Sequence, residues 1–600
     1  MPETSHPPQL DDLPFKGFDP VVTRQLIVFI RPYLPQVFLS LGLMLFNSLA
    51  AVAGPFLVKI ALDDGIAKGS TQVLLIAVLI YLFLAAAQWI LIYTRVNLMA
   101  KVGQSVIFDL RAKLFSHLQN LSLSFFSHYS VGRIIVRVIN DVNVLREFFT
   151  WAVLAIARDL FTLIGIVITM MWMDFRLSLI TFSVLPIMFI LVFSFRKKAR
   201  ENYRKVRMAI SWVNSVLAEN INGVRVIQSF SREDYNYRYY RDVVNHNNLQ
   251  TNLKAARLTS IFFPSVDFLG MTAIALVIWL GGTAVLGNQI TPGVLVAFVL
   301  YISRFFEPIR DLSMRYDSFL TTMASGERIL GLLNSPIEVQ DQPEAITLPP
   351  IKGEVEFDNV SFHYYDDDTP VLQNINLHIK PGETIALVGK TGSGKSTLVK
   401  LVARFHDPTE GAVKVDGIDL RSVSQSSLRS QMGIVLQDPF LFSGTVRENI
   451  RFGKLDATDE EIENAARAVG AHEFIQNLRL GYDTPVNEGG VLISVGQRQL
   501  ISFARALIAN PRILILDEAT SSVDTQTELI IQNALSILLK GRTSFVIAHR
   551  LSTVINASRI LVIQDGKIIE QGTHQELLNQ QGLYYQLYSM RFEEDEAVFV

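Results

Sequence analysis

The stretch Gly389-Lys-Thr-Gly-Ser-Gly-Lys-Ser-Thr397 decides the fold of the second half of this chain. It matches the pattern G-x-x-x-x-G-K-[ST], in which glycines let backbone N–H groups approach phosphate oxygens. An apolar run, Thr384–Val388, precedes it, and an apolar helical pattern begins at Leu398. The sequence therefore predicts a strand, a phosphate-binding loop and a helix whose positive end faces the phosphates.

Two side chains of this loop have expected roles beyond backbone contacts. Lys395 can reach the β and γ phosphates of a nucleotide, and the Ser396 hydroxyl can hold Mg²⁺. The loop residues that we expect to contact a nucleotide are Gly389, Thr391, Gly392, Ser393, Gly394, Lys395, Ser396 and Thr397. The alternative is a glycine-rich turn before an ordinary helix.

A second candidate element is the apolar run Pro511-Arg-Ile-Leu-Ile-Leu-Asp-Glu518, which ends in two carboxylates. Strand ends beside a phosphate loop are where Mg²⁺ ligands and water-activating groups belong. Asp517 fits the metal role, and Glu518 fits the polarisation of an attacking water. A strand that merely ends in two solvated acids is the alternative.

Composition divides the chain into two parts. Of its 600 residues 50% are hydrophobic and 18% are charged, and the mean hydropathy is +0.30. The apolar excess lies before about residue 310, which predicts a membrane part joined to a soluble part. The net charge of −2 gives no reason to expect a nucleic-acid partner. The chain has no cysteine, which excludes disulfides, thiolate metal sites and cysteine catalysis.

Six apolar segments are long enough to be membrane-spanning helices. They are Val37 to Leu62, Val73 to Tyr93, Trp151 to Met173, Leu177 to Phe195, Ile261 to Leu286 and Val294 to Pro308. The polar N-terminus lacks the pattern of a cleaved signal. A short apolar segment, Pro20 to Arg31, is either an interfacial helix or the first turn of the first span.

The connections between spans alternate in length. Two of them, roughly residues 94–150 and 196–259, are long, helix-forming and rich in Lys and Arg. Positive residues beside spans stay in the cytosol, so the long connections, both termini and the soluble half are expected on the cytosolic side of the plasma (inner) membrane. We interpret Leu118–Phe126 and Ser211–Asn220 as segments that dock on the soluble half.

Ionisable residues within the spans have two interpretations. Arg158, Asp159, Asp267, Arg304 and Glu307 lie in or near predicted spans. Because charges at this depth need partners or water, they line a polar cavity, form internal ion pairs, as Arg304 and Glu307 are spaced to do, or lie on a helix that continues past the bilayer into the cytosol.

Boundaries follow from these patterns. We predict a tail with an interfacial helix (1–36), a membrane domain (37–333), a proline-bearing linker (334–352), a nucleotide-binding domain (353–590) and an acidic tail (591–600). The fold class is therefore multidomain, with an all-α polytopic membrane domain followed by an α/β phosphate-loop ATPase domain.

The soluble half resembles the ATPase domain of ABC transporters. The phosphate loop and Asp517-Glu518 match in order, and so do Tyr364, Gln437, Ile493-Ser-Val-Gly-Gln497, Ser521-Ser-Val-Asp524 and His549. With six preceding spans, the chain is similar to a half-size ABC exporter of the lipid-flippase and multidrug-pump type. Glu488-Gly489 falls where such exporters carry a loop that touches the docking segments.

The resemblance implies ATP and Mg²⁺ as ligands and assigns residue roles. Tyr364 would stack on adenine, Gln437 would sense Mg²⁺ and the γ phosphate, and His549 would act as the switch on that phosphate. Ser494, Gly496 and Gln497 would contact ATP bound to a second chain. Implied catalytic residues are Glu518, His549 and Gln437, and implied metal ligands are Ser396, Gln437 and Asp517.

The signature departs from the family pattern Leu-Ser-Gly-Gly-Gln at Ile493 and Val495. A valine side chain can change how closely that backbone approaches phosphate. The working unit is expected to be a dimer with a second half-transporter, and both a homodimer and a heterodimer with one weakened site fit the sequence. An ATP-gated channel, a signalling ATPase and an importer are the other functions considered. The cargo expected for such a chain is a small hydrophobic or amphipathic molecule.

Overall fold

The computed structural model describes residues 20–147, 153–364, 369–486, 490, 493–517, 525–548 and 551–596. These residues form two compact units. The helical unit comprises the described chain as far as Gln119 and from Tyr129 to Ser335. The sheet unit comprises Asn120–His128 and the described chain from Pro336 onward.

Helices account for most of the described residues before residue 334. They are α1 (Pro20–Ile30), α2 (Leu34–Ile60), α3 (Thr71–Asn120), α4 (Leu123–His128), α5 (Val131–Val136), α6 (Val142–Glu147), α7 (Val153–Met173), α8 (Phe175–Phe182), α9 (Leu185–Asn222), α10 (Val224–Ser229), α11 (Glu233–Tyr239), α12 (His246–Leu276), α13 (Gly282–Leu286) and α14 (Pro292–Leu333). A 3₁₀ turn, Arg31–Tyr33, joins α1 to α2, so the chain is helical from the proposed interfacial segment into the first span.

The helical unit fits the predicted spans. Among the described residues, four helical segments are long and apolar enough to cross a membrane, namely Thr23–Ile66, Thr71–Asn120, Phe175–Asn222 and Glu233–Leu286. The third and sixth predicted spans coincide with α7 and α14. At 50, 38 and 42 residues, α3, α9 and α14 exceed the roughly 20 residues that cross a bilayer. These helices therefore continue beyond their apolar segments, as the long connections predicted.

The sixth span was predicted to end at Pro308, but α14 continues to Leu333. A proline removes one backbone hydrogen bond from a helix and does not have to end it. Here the turn before the proline is held by packing, because Phe305 lies 5.8 Å from the ring of Phe182 and is buried.

One face of α14 forms the core of the helical unit. Ala297, Phe298, Tyr301, Ile302 and Phe305 recur at helical spacing and are buried. Buried side chains of α9 and α12 pack against them.

Arg158 and Asp159 form an ion pair, with the Arg158 Nη2 atom 2.7 Å from the Asp159 Oδ1 atom. Asp159 is buried. The ion-pair interpretation therefore holds for these two residues.

The sheet unit contains twelve strands among the described residues. They are β1 (Val355–Phe362), β2 (Leu372–Ile379), β3 (Thr384–Val388), β4 (Glu410–Val415), β5 (Ile418–Asp419), β6 (Met432–Val435), β7 (Gly444–Thr445), β8 (Pro485–Val486), β9 (Ile513–Asp517), β10 (Thr543–Ile547), β11 (Arg559–Gln564) and β12 (Lys567–Gly572). The helices of this part are α15 (Lys395–Val402), α16 (Gln425–Arg429), α17 (Val446–Arg451), α18 (Asp459–Ala468), α19 (His472–Asn477), α20 (Val495–Ile508), α21 (Thr525–Leu539), α22 (Leu551–Ile555), α23 (His574–Gln580) and α24 (Leu583–Glu596).

A six-stranded sheet in the order β12-β11-β3-β10-β9-β6 is the centre of this unit. Its strands pair in parallel except at β12, which is antiparallel to β11. The second sheet, β2-β1-β4-β5, is antiparallel. Because β3, β10, β9 and β6 are parallel, the loops that follow them lie along one edge, where α/β sheets bind ligands.

The predicted linker is attached to the sheet unit. Ile346 forms a bridge with Val423, and the Leu348 N–H donates to the Ser427 hydroxyl at 3.0 Å. Val339 and Leu348 are buried. We call residues 335–350 the strap, because apolar side chains among its prolines fasten it to the domain.

Candidate functional site

The phosphate loop has the predicted geometry. It follows β3, and α15 begins at Lys395. Gly389, Gly392 and Gly394 all have positive φ, at 154°, 83° and 106°. The first N–H groups of a helix have no partner within it. These donors and the positive end of α15 therefore both face the space enclosed by the phosphate loop.

Gly389 is required by a close approach as well as by its backbone angle. A Cβ atom at this position would lie 2.2 Å from the Ile563 carbonyl oxygen. At Gly392, in contrast, nothing lies within 4 Å of the position of a Cβ atom. The loop thus packs against β11 at one end and borders open space in its middle.

Lys395 is nearly buried and closes the loop. Its ammonium donates to the carbonyl oxygens of Gly389 and Lys390, each at 2.8 Å. Ser393 is also buried, and its hydroxyl has no hydrogen-bond partner among the described residues. A lysine held over the loop, a buried hydroxyl and open space beside Gly392 fit the phosphates of a nucleotide.

Two other predicted residues lie at the same sheet edge. Asp517 is the last residue of β9, and Gln437 follows β6 by two residues. β9 and β6 are neighbours in the sheet, and β10 alone separates β9 from β3. The fold therefore brings the phosphate loop, Asp517 and Gln437 to one side of the parallel strands.

Tyr364 lies next to the phosphate loop. Its hydroxyl and the Thr397 hydroxyl are 3.0 Å apart, and its ring stands edge-on to Phe362 and His406. Burial, together with the charge of Lys400, lowers the pKa of His406. A neutral imidazole beside Tyr364 follows from this shift.

The signature residues begin a helix in a different core. Ser494 is the N-cap of α20, and its hydroxyl accepts a hydrogen bond from the Gln497 N–H at 3.3 Å, while the Gln497 side chain accepts one from the Ser494 N–H. Ile493 is buried among α17 to α21, and Gly496 is buried as well. The helix after the phosphate loop, α15, packs by contrast in the core around β1 to β4.

Several predicted positions lie outside the described residues. They are Glu518, His549, Ser521–Asp524 and Glu488-Gly489.

One predicted docking segment differs from expectation. In Ser211–Asn220, Val213 and Val216 are buried against Val244 within the helical unit. The other segment agrees better, because Asn120–His128 belongs to the sheet unit, where Ser124 donates to Glu338 of the strap.

Two exposed apolar surfaces were not predicted from the sequence. On the helical unit, Val226 and Phe230 are 61% and 72% exposed and border a cavity of about 430 Å³ around α10. On the sheet unit, Phe440, Phe442 and Phe452 are exposed, and the ring of Phe442 contacts the rings of the other two. Hydrophobic spacing gave no signal for either surface, since α10 is only six residues long and the three phenylalanines lie in or beside loops.

Comparison with known proteins assigns both parts of the chain. The model of the ABC transporter transmembrane region matches residues 37–309, and the ABC transporter model matches residues 372–521. An ATP-dependent lipid A-core flippase of Syntrophus aciditrophicus is 39% identical over 96% of this chain and 95% of its own length. The chain belongs to the ABC exporter family.

Other relatives agree with this membership. A putative multidrug export ATP-binding/permease protein, YgaD of Bacillus subtilis, is 39% identical over 95% of this chain and 99% of its own length. A bacterial Atm1-family ABC exporter, solved with ATP bound, has a TM-score of 0.76 at 27% identity and covers 96% of this chain and 99% of its own.

This ABC exporter is a half-transporter, since one transmembrane region and one ATPase domain are fused in the chain. It is a membrane protein that binds ATP and couples ATP hydrolysis to transport. The predicted family, fold class and enzyme class are confirmed.

Proposed function

We propose that this ABC exporter moves hydrophobic or amphipathic molecules, lipids or drugs, outward across the plasma membrane as a dimer. The observation that carries the proposal is that the helix after the phosphate loop and the helix that begins at the signature pack in different cores. The phosphate loop, Asp517 and Gln437 share one sheet edge, while Ser494 starts a helix in the other core. A second chain that supplies its Ser494 and Gly496 would complete each site.

In this proposal Lys395 and the loop N–H groups bind the phosphates, and Tyr364 stacks on adenine. Ser396, Asp517 and Gln437 offer the oxygen ligands that Mg²⁺ prefers, and bound Mg²⁺ would neutralise charge on the transferring phosphoryl group. Glu518 polarises the attacking water and His549 contacts the γ phosphate. Closure of two ATPase domains around ATP is favoured because each contributes a positive helix end.

Two exposed apolar surfaces are available for contacts with protein partners. The surface around α10 and the cluster of Phe440, Phe442 and Phe452 would each face water in an isolated chain, and exposed apolar surfaces mark interaction sites. Closure of the ATPase domains on ATP tilts the spans. The cavity between the spans then alternates between the two sides of the membrane. Arginines and lysines of the long connections set the ATPase domain and both termini in the cytosol.

The test is the substitution Glu518→Gln in the purified full chain. We expect ATP binding to persist and steady-state ATP turnover to fall by at least about 100-fold, the scale of losing an acid–base group. Radiolabelled ATP retention and phosphate release measure the two quantities. Full turnover in this variant would contradict the assignment, provided that mass spectrometry finds no partner chain of different sequence in the preparation.

A further inference from the structure

The face of α14 that the helical unit leaves uncovered changes character along its length. Val296, Leu300, Ser303, Arg304 and Glu307 are exposed and recur at helical spacing. We call this set the α14 stripe. Its first part is apolar and its last part carries a positive and a negative side chain.

The charged part of the stripe lies within the sixth predicted span, Val294 to Pro308. Arg304 is twelve residues beyond the start of α14 at Pro292, or roughly 18 Å along the helix axis. The hydrocarbon core is about 30 Å thick, so that Arg304 lies near its middle. Arginine costs about 2.5–3.5 kcal/mol there on the insertion scale, which argues that the stripe faces a cavity and not lipid.

Arg304 is positioned by a proline on a neighbouring helix. Pro55 lies inside α2 and has no N–H, so the carbonyl of Ala51, four residues earlier, loses its helical partner. The Arg304 Nη1 atom donates to that carbonyl oxygen. A Cβ atom on Gly54 would lie 3.6 Å from Nη1, in ordinary contact.

The guanidinium is thus fixed while most of its donors remain. Arginine has five N–H donors, and the bond to Ala51 is the one that the described residues provide. Tyr301 adds a second hydrogen bond between α14 and α2, since its hydroxyl donates to the Val52 carbonyl at 2.6 Å. Within the described part of the chain, Arg304 and Glu307 form no ion pair with each other, although their spacing allows one.

We propose that the α14 stripe binds a zwitterionic amphiphile. The anionic group of the cargo pairs with Arg304, its cationic group pairs with Glu307, and its apolar part lies along Val296 and Leu300. Residues three apart on a helix are about 5–6 Å apart at their Cβ atoms, which suits a head group that carries both charges. This inference rests on the proposed export function and narrows its cargo to one charge class.

The experiment measures ATPase stimulation of the full chain in an uncharged detergent. Short-chain phosphatidylethanolamine (zwitterionic), short-chain phosphatidylglycerol (anionic) and dodecyltrimethylammonium (cationic) are titrated separately, and a zwitterionic fluoroquinolone distinguishes a drug from a lipid. For the wild type we expect a half-saturating concentration about tenfold lower for the zwitterions, a factor that corresponds to 1.4 kcal/mol. Each rate is expressed relative to the basal rate of the same variant.

Two variants separate the charges. Arg304→Gln should raise the half-saturating concentration for phosphatidylethanolamine about tenfold. Arg304→Lys, which keeps the positive charge, should have a half-saturating concentration close to that of the wild type. Glu307→Gln should remove the preference for phosphatidylethanolamine over phosphatidylglycerol. Arg241→Gln, on an exposed residue paired with Asp242, is the matched control and should keep the wild-type preference. Size-exclusion profiles and thermal unfolding confirm that each variant is folded.

Three results would overturn the inference. The first is ATPase stimulation without any head-group preference, and the second is a preference that neither Arg304→Gln nor Glu307→Gln changes. The third is an equal loss of stimulation by all amphiphiles in the single variants, together with its recovery in the double variant Arg304→Glu/Glu307→Arg. The last result would mean that the two residues pair across a dimer. A wild type that no amphiphile stimulates and that moves none in vesicles would instead contradict the proposed export function.

Discussion

At the residue scale, the two departures in the signature differ in their surroundings. Ile493 is 6% exposed and packs in the core around α20, so it substitutes one aliphatic side chain for another of equal volume. Val495 is 37% exposed and is the first residue of α20. The first position of a helix has ordinary helical backbone angles and an N–H without a partner in the helix, hence the valine causes no local strain. The side chain of Val495 can therefore affect only how closely a phosphate group approaches the N-terminal end of α20.

We therefore expect Val495→Gly to raise ATP turnover a few-fold. Removal of the side chain lets the N–H groups at the start of α20 come closer to phosphate, and the loss of helix propensity costs at most about 1 kcal/mol. Phosphate release at saturating ATP is the measurement, with thermal unfolding alongside. Ile493→Leu is the control, because it restores the family residue in the core and should leave turnover unchanged. Equal or lower turnover in Val495→Gly would show that the valine does not weaken the site.

The phosphate-loop geometry could be predicted from the sequence because the motif is local. Glycine spacing determines the loop, and the next apolar residues determine the helix. The contacts of Tyr364 with Thr397 and His406 could not be predicted, since they join distant parts of the chain. Val213 and Val216 were misread for the same reason: an amphipathic helix face does not reveal which surface covers it.

At the scale of elements, the strap was predicted as a linker because prolines and acids are typical of linkers. In the structure the strap is held to the ATPase domain by Arg404, which follows α15 and is 1% exposed. The guanidinium donates to the carbonyl oxygens of Gln340 and Val423 at 3.1 and 2.6 Å, and it lies 3.3 Å from a carboxylate oxygen of Asp341. The helix that begins at the phosphate loop thus ends at a contact with the segment that follows α14.

From this contact we expect Arg404→Ala to destabilise the ATPase domain by about 1.5–3 kcal/mol, the scale of losing hydrogen bonds from a buried charged group to the carbonyl oxygens of Gln340 and Val423. The strap would lose its attachment, so that transport per ATP hydrolysed should also fall in protein that remains folded. Thermal unfolding of the full chain and the ratio of vesicle transport to phosphate release measure the two effects. Arg421→Ala, which removes a partly exposed arginine paired with Asp419, should cost no more than about 1 kcal/mol. Equal effects of the two substitutions would contradict a specific role for Arg404.

At the scale of the whole molecule, length and polarity were sufficient to place the helices of the membrane part. Helix ends were less predictable, because packing carries α14 through Pro308. The sheet order was beyond prediction from this sequence alone, since parallel strands meet through long-range contacts. That order nevertheless explains why Gln437, Asp517 and the phosphate loop, far apart in sequence, share one edge.

The packing of the phosphate-loop helix α15 and the signature helix α20 in different cores leads to a complementation prediction. A chain with Lys395→Ala lacks a phosphate-loop contact, and a chain with Ser494→Ala lacks a signature contact, so either variant alone should form two defective sites. In a mixed dimer one site combines the intact loop of one chain with the intact signature of the other. Co-expression with two different tags, followed by tandem purification, should therefore recover a substantial part of wild-type phosphate release. A mixture of separately purified variants is the control. If the tandem-purified pair hydrolyses ATP no faster than its parents, or if the tags do not co-purify, the sites are not shared between two copies of this chain, and a partner of different sequence must then complete them.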